Sequence, residues 1–211
     1  MGKKQTLLAV ATAAAATLGF AGSAQATTTV TGNHWDIGLA YDCDAEEFSA
    51  EGLHAHSHDT DPASELELAD TVFQVSGTSN SIWESTVFGR AELPLKTIGD
   101  GGTYRVGLSV EAEGACEAPA VTFTSGAVTV PVGGARVAGY RRGESDGVAT
   151  TRTRFDSATG TNRNLGVTIA DHEDLRWGFT DTGTYRLPLT ATASVGGFPV
   201  TYRATLTFSV V

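Results

Sequence analysis

From residue 27 onward, apolar and polar residues alternate in short runs, the period-two mark of strands with one buried face. Trp35-Asp36-Ile37-Gly38-Leu39-Ala40-Tyr41, Thr71-Val72-Phe73-Gln74-Val75 and Tyr104-Arg105-Val106-Gly107-Leu108-Ser109-Val110 are the clearest cases. Residues 120–123, 127–130, 165–169, 185–193 and 202–211 repeat the pattern, with Gly, Asp and Ser clusters between them. No stretch sustains a helical period, although the acidic Ser64-Glu65-Leu66-Glu67-Leu68 is compatible with one turn. This spacing predicts an all-β sandwich or barrel.

An internal echo refines that expectation. Asp100-Gly101-Gly102-Thr103-Tyr104-Arg105 and Asp181-Thr182-Gly183-Thr184-Tyr185-Arg186 each precede an alternating strand. Asp-x-Gly-x-Tyr ahead of a strand is the pattern of a tyrosine corner, in which the phenol ties a loop to the backbone of an immunoglobulin-like sandwich. The two copies leave open one elaborated sandwich or two small ones.

The N-terminus sets the compartment. Met1 to Lys4 is a short basic start, an apolar run follows from Leu7 to Ala21, and Ala24-Gln25-Ala26 supplies a small-x-small cleavage pattern. Residues 1–26 therefore read as a secretory signal peptide cut after Ala26, leaving 27–211 as a secreted domain. The run is too short for a membrane anchor, and no second apolar segment of membrane length follows. Cys43 and Cys116 are the two cysteines, and in an oxidising compartment they are expected to pair. The chain carries 14 Lys and Arg against 24 Asp and Glu, a net charge of −10. That balance argues against a nucleic-acid partner and favours attraction of cations.

The candidate chemistry lies in the histidines. His54, His56 and His58 alternate in Leu53-His54-Ala55-His56-Ser57-His58-Asp59, and His34 stands two residues before Asp36. His172 stands two residues before Asp174. On a strand, residues two apart share a face, so each segment would present nitrogen and oxygen donors together. His34, Asp36, His54, His56, His58, His172 and Asp174 are thus candidate ligands for Zn2+ or another divalent transition metal.

His34-Trp35-Asp36-Ile37-Gly38 and the His54 to His58 segment resemble the openings of actinobacterial surface-anchored proteins with a choice-of-anchor M domain. The stretch from His172 through Trp177, Phe179, Thr180 and Gly183 to Tyr185 resembles that family's short wall-associated repeat. Asp174 stands where the repeat usually has its second histidine. The resemblance implies extracellular metal capture or delivery, with a metal-type ABC transporter component or a cell-wall protein as partner and cell-wall association as a location. On this resemblance the protein is expected to be without the anchor for which the family is named.

Enzyme readings find little support. His172-Glu173-Asp174-Leu175-Arg176 lacks the second histidine of a zinc-protease helix, and neither a nucleophile elbow nor a phosphate-cradling loop occurs. The expectation is a non-enzymatic binder. The competing reading is a structural or adhesive cell-wall module with incidental histidines, and haem binding through exposed histidines is a third. Arg141, Arg142, Arg152, Arg154 and Arg163 form a local basic anomaly, read as an exposed hairpin with salt links to nearby acids.

Overall fold

The one-in-two spacing of Trp35, Ile37, Leu39 and Tyr41 places four large side chains on one face of a single strand, and all four are buried. The same logic builds the rest of the molecule. The computed structural model describes residues 27–57, 59, 64–78, 87–88, 96–99, 104–145, 148–157 and 167–211. The expected signal peptide (1–26) and His58 lie outside the described residues.

In chain order the strands are β1 (Thr28–Val30), β2 (His34–Asp42), β3 (Glu47–Phe48), β4 (His54–Ser57), β5 (Ser64–Glu67), β6 (Thr71–Val75), β7 (Lys96–Ile98) and β8 (Arg105–Glu113). There follow β9 (Val121–Ser125), β10 (Val137–Ser145), β11 (Val148–Asp156), β12 (Val167–Ile169), β13 (His172–Glu173), β14 (Arg176–Phe179), β15 (Gly183–Val195) and β16 (Phe198–Val210). They form three sheets. The first runs β1-β6-β16-β15-β9-β12, the second β11-β10-β14-β7, and the third β13-β8-β2-β4-β5 with β3 also on β2. Most neighbours are antiparallel, but β1–β6, β6–β16 and β2–β8 are parallel. The all-β expectation is met.

A single hydrophobic cluster draws on all three sheets, with Phe73, Tyr185 and Phe208 from the first, Val137, Phe155 and Trp177 from the second, and Ile37, Val106 and Leu108 from the third. Trp177 is the junction. Its ring centroid lies 5.2 Å from that of Phe208, and its indole N–H donates to the Val106 carbonyl at 2.9 Å. Gly139 makes room for it, since a β-carbon there would come within 2.9 Å of the indole ring. Truncating so large a buried side chain costs roughly 3–5 kcal/mol.

Cys43 and Cys116 are bridged, with Cα atoms 5.8 Å apart. The bridge lies beyond the C-terminal ends of the parallel pair β2–β8, at the opposite end from His34 and Arg105. The two tyrosines of the echo behave differently. The Tyr185 hydroxyl donates to the Asp181 carbonyl at 3.0 Å and accepts from its N–H at 3.2 Å, a local corner. The Tyr104 hydroxyl instead donates to the Val30 carbonyl at 2.9 Å, tying β1 to the start of β8. Burial raises the pKa of both phenols.

Two local expectations shift. The acidic Ser64–Glu67 stretch is strand β5, and the turn falls one step later at Leu68–Asp70 as a 3-10 helix. Residues 127–130 contribute one isolated bridge, Thr129 to Arg186, rather than a strand. Pro131 follows at once and cannot donate to a ladder. Among the described residues, no helix is long and apolar enough to cross a membrane.

Candidate metal centre

With Trp35, Ile37 and Leu39 facing the core, alternation sends His34, Asp36 and Gly38 to the other face of β2. The ladder then decides their neighbours. Across the parallel pair, His34 faces Arg105, Asp36 faces Gly107 and Gly38 faces Ser109. On the other side of β2, Asp36 faces His56 and Gly38 faces His54. Strand β13 joins the free edge of β8 with His172 opposite Ser109. All four described histidines therefore occupy one face of one sheet.

Three of the candidate ligands converge to a point. His34 Nε2 and His172 Nε2 lie 3.4 Å apart. Asp36 Oδ1 is 3.4 Å from the first and 3.6 Å from the second. His34, Asp36 and His172 thus form a group able to hold a metal ion. Asp174 Oδ1 caps the same histidine edge, 3.0 Å from His34 Nε2 and 3.4 Å from His172 Nε2. Both Asp36 Oδ1 and Asp174 Oδ1 are shielded from solvent and make no hydrogen bond. Buried acceptors in that condition call for a partner, and a cation among them would supply it.

The surroundings fix this geometry. The His34 backbone N–H donates to Asp59 Oδ2 at 2.8 Å, which holds the start of β2. Asp171 accepts from the Val110 N–H at 2.7 Å and docks the segment that carries His172. Arg105 Nη1 holds Asp174 Oδ2 at 2.9 Å, leaving Oδ1 toward the histidines. Gly107 is the gap that lets the group close, because a β-carbon there would lie 2.2 Å from Asp36 Oδ1. Burial pushes the Asp36 carboxyl above its ordinary value; nearby His34, His172 and His56 pull it down, and Asp174 pushes it up. A cleft of about 310 Å3 opens on the group, lined by His34, Asp36, His172, Ser109 and Glu111 among others.

Of the remaining candidates among the described residues, His54 and His56 are outside this group, although His56 stands opposite Asp36 in the ladder. His54 and His56 share the face, with ring centroids 5.7 Å apart. His54 Nδ1 is 3.1 Å from the Gly52 carbonyl, and His56 Nε2 is 2.5 Å from Glu111 Oε1. His56 passes over Gly38, where a β-carbon would meet its Cε1 at 3.4 Å. Glu173 points to the opposite side of β13 from His172 and is buried. Arg154 grips it through Nε at 2.7 Å and Nη2 at 2.9 Å. That contact is one salt link of the basic segment, on a largely buried pair where an exposed hairpin was expected; Arg163 lies outside the described residues.

Arg105, Gly107 and Glu111 were not visible as site residues in the sequence. Their only signal is register, since each becomes a neighbour through a parallel pairing across more than sixty intervening residues. No protein-family model, curated protein or solved structure matches this chain.

Proposed function

We propose that this is an extracellular zinc-binding protein that captures the ion, or passes it on, through His34, Asp36 and His172, with Asp174 as a fourth or supporting ligand. The carrying observation is the triangle of donors, whose edges are 3.4, 3.4 and 3.6 Å. Zinc bonds of about 2.0–2.1 Å in a tetrahedron give edges of about 3.3–3.4 Å. Two imidazole nitrogens and a carboxylate oxygen are also a donor set that zinc accepts.

The site's exposure favours exchange over a purely structural role. The side chains of His172 and Asp174 are 37% and 42% exposed, so an ion there is reachable from solvent. Binding rather than catalysis is the reading for the same region. Glu173, the carboxylate next to His172 in sequence, is buried under the Arg154 fork and turned away from the ion's position. The disulfide fits an extracellular setting. Hand-off to a transporter component or wall protein is proposed from the sequence resemblance alone.

Elemental analysis of the tag-free protein after zinc loading and dialysis tests this reading. One zinc per chain is expected. Zinc-free protein after the same treatment would overturn it and leave a wall-interaction module as the function.

A further inference from the structure

Behind the metal ligands lies a second cleft of about 320 Å3, lined by Arg141, Arg176, Gly99, His172, Glu173 and Asp174 among others. It sits where the chain leaves β13 in the third sheet and enters β14 in the second. Its two acids already have cations of their own. Arg154 forks Glu173, and Arg105 holds Asp174 at 2.9 Å. Arg141 therefore adds positive charge at the rim: its side chain is 57% exposed and stands 4.0 Å from the already forked Glu173. Arg176 lies buried in the wall, its Nε donating to the Tyr140 hydroxyl at 2.9 Å. Counting Arg105 and Arg154, four guanidinium groups therefore stand around the two carboxylates of the cleft.

We infer that this cleft is a co-ligand subsite for a small di- or tricarboxylate, so that the protein takes up its metal together with an anionic chelator. The inference rests on the metal reading above. His172 belongs both to the cleft wall and to the metal group, and Asp174, also in the wall, lies 3.4 Å from His172 Nε2, so the cleft adjoins the ion's position. One carboxylate completes the ion's coordination, and another lies on the planar guanidinium of Arg141, whose donors match carboxylate oxygens. The volume is at the small end of ligand pockets, which suits a compact organic acid rather than a polymer. Metal and anion then strengthen each other's binding by the same factor.

Native mass spectrometry and calorimetry on the tag-free protein test this, with Zn2+ alone, then with citrate, then with inorganic phosphate. The expected result is a protein–zinc–citrate species of one each, with citrate binding about tenfold tighter to the zinc form than to the metal-free form. Arg141→Ala should remove that gain while leaving zinc affinity in anion-free buffer within about threefold of wild type. Citrate that merely strips zinc, or an Arg141→Ala protein that binds citrate like wild type, would overturn the inference alone. Failure to bind zinc in the anion-free arm would defeat the metal reading and the inference together. An Arg141-dependent complex with phosphate but not citrate would overturn the carboxylate assignment.

Discussion

The Oδ1 of Asp36 occupies the space in which a side chain on Gly107 would begin, 2.2 Å from where that β-carbon would stand. The two residues face each other across the parallel pair β2–β8, and β8 separates β2 from β13. His34 and His172, 138 positions apart in the chain, meet because Gly107 puts no side chain between their strands.

Gly107→Ala should therefore damage the metal group without unfolding the protein. The added carbon must displace the Asp36 carboxylate or press on the Glu173 carbonyl, which would be 3.1 Å away. Zinc affinity is expected to fall about 10- to 100-fold, the usual scale for disturbing a ligand's support. Calorimetry beside a thermal melt checks this, and wild-type affinity would refute it.

Asp36 also predicts a pH-dependent cost. Its carboxyl is held above the ordinary value, chiefly by burial, so folding disfavours its ionised form. The stability that the protonated group permits is present below the unfolded value near 3.8 and is lost as pH rises through the folded pKa. Asp36→Asn, which cannot ionise, should melt higher than wild type at neutral pH in the metal-free form. That advantage should vanish toward acid pH, and zinc binding should be lost throughout. Equal melting of the two proteins across the range would contradict the account.

The disulfide acts on stability and not on the site. It closes a loop of 73 residues in sequence separation at the end of β2–β8 remote from His34. Loop-closure entropy puts its contribution at about 4 kcal/mol. Replacing Cys43 and Cys116 with Ser should lower stability on that scale in denaturant titration while zinc affinity changes less than about threefold. A large loss of affinity in a protein that remains folded would show that the two ends of the strand pair are coupled.

His54 and His172 should separate structure from binding. His54 is buried, and its Nδ1 lies beside the Gly52 carbonyl. His54→Ala is expected to cost about 1–3 kcal/mol of stability and keep one zinc per chain. His172→Ala, at an exposed edge, should leave the melting temperature nearly unchanged and lose the zinc.

Much of this was legible from alternation. The run Trp35-Asp36-Ile37 told which face His34 and Asp36 share, and the spacing of His172 and Asp174 told the same with Glu173 turned away. The cysteine pair and the Tyr185 corner also followed from local pattern. What alternation cannot carry is register between distant strands. Nothing local says that β8 lies parallel to β2, or that the two-residue strand β13 joins its far edge. The His54 to His58 segment was the most conspicuous motif, yet the described pair His54 and His56 turns to Gly52 and Glu111. The isolated His172 proved to be the one beside His34.

The central claim is that His34 and His172 hold one metal ion between them. Zinc calorimetry on wild type and on the His34→Ala/His172→Ala double variant, both tag-free, tests it most directly. The account predicts one tight site in wild type and no stoichiometric site in the variant, with the fold retained. An equally tight single site in the folded double variant would contradict it.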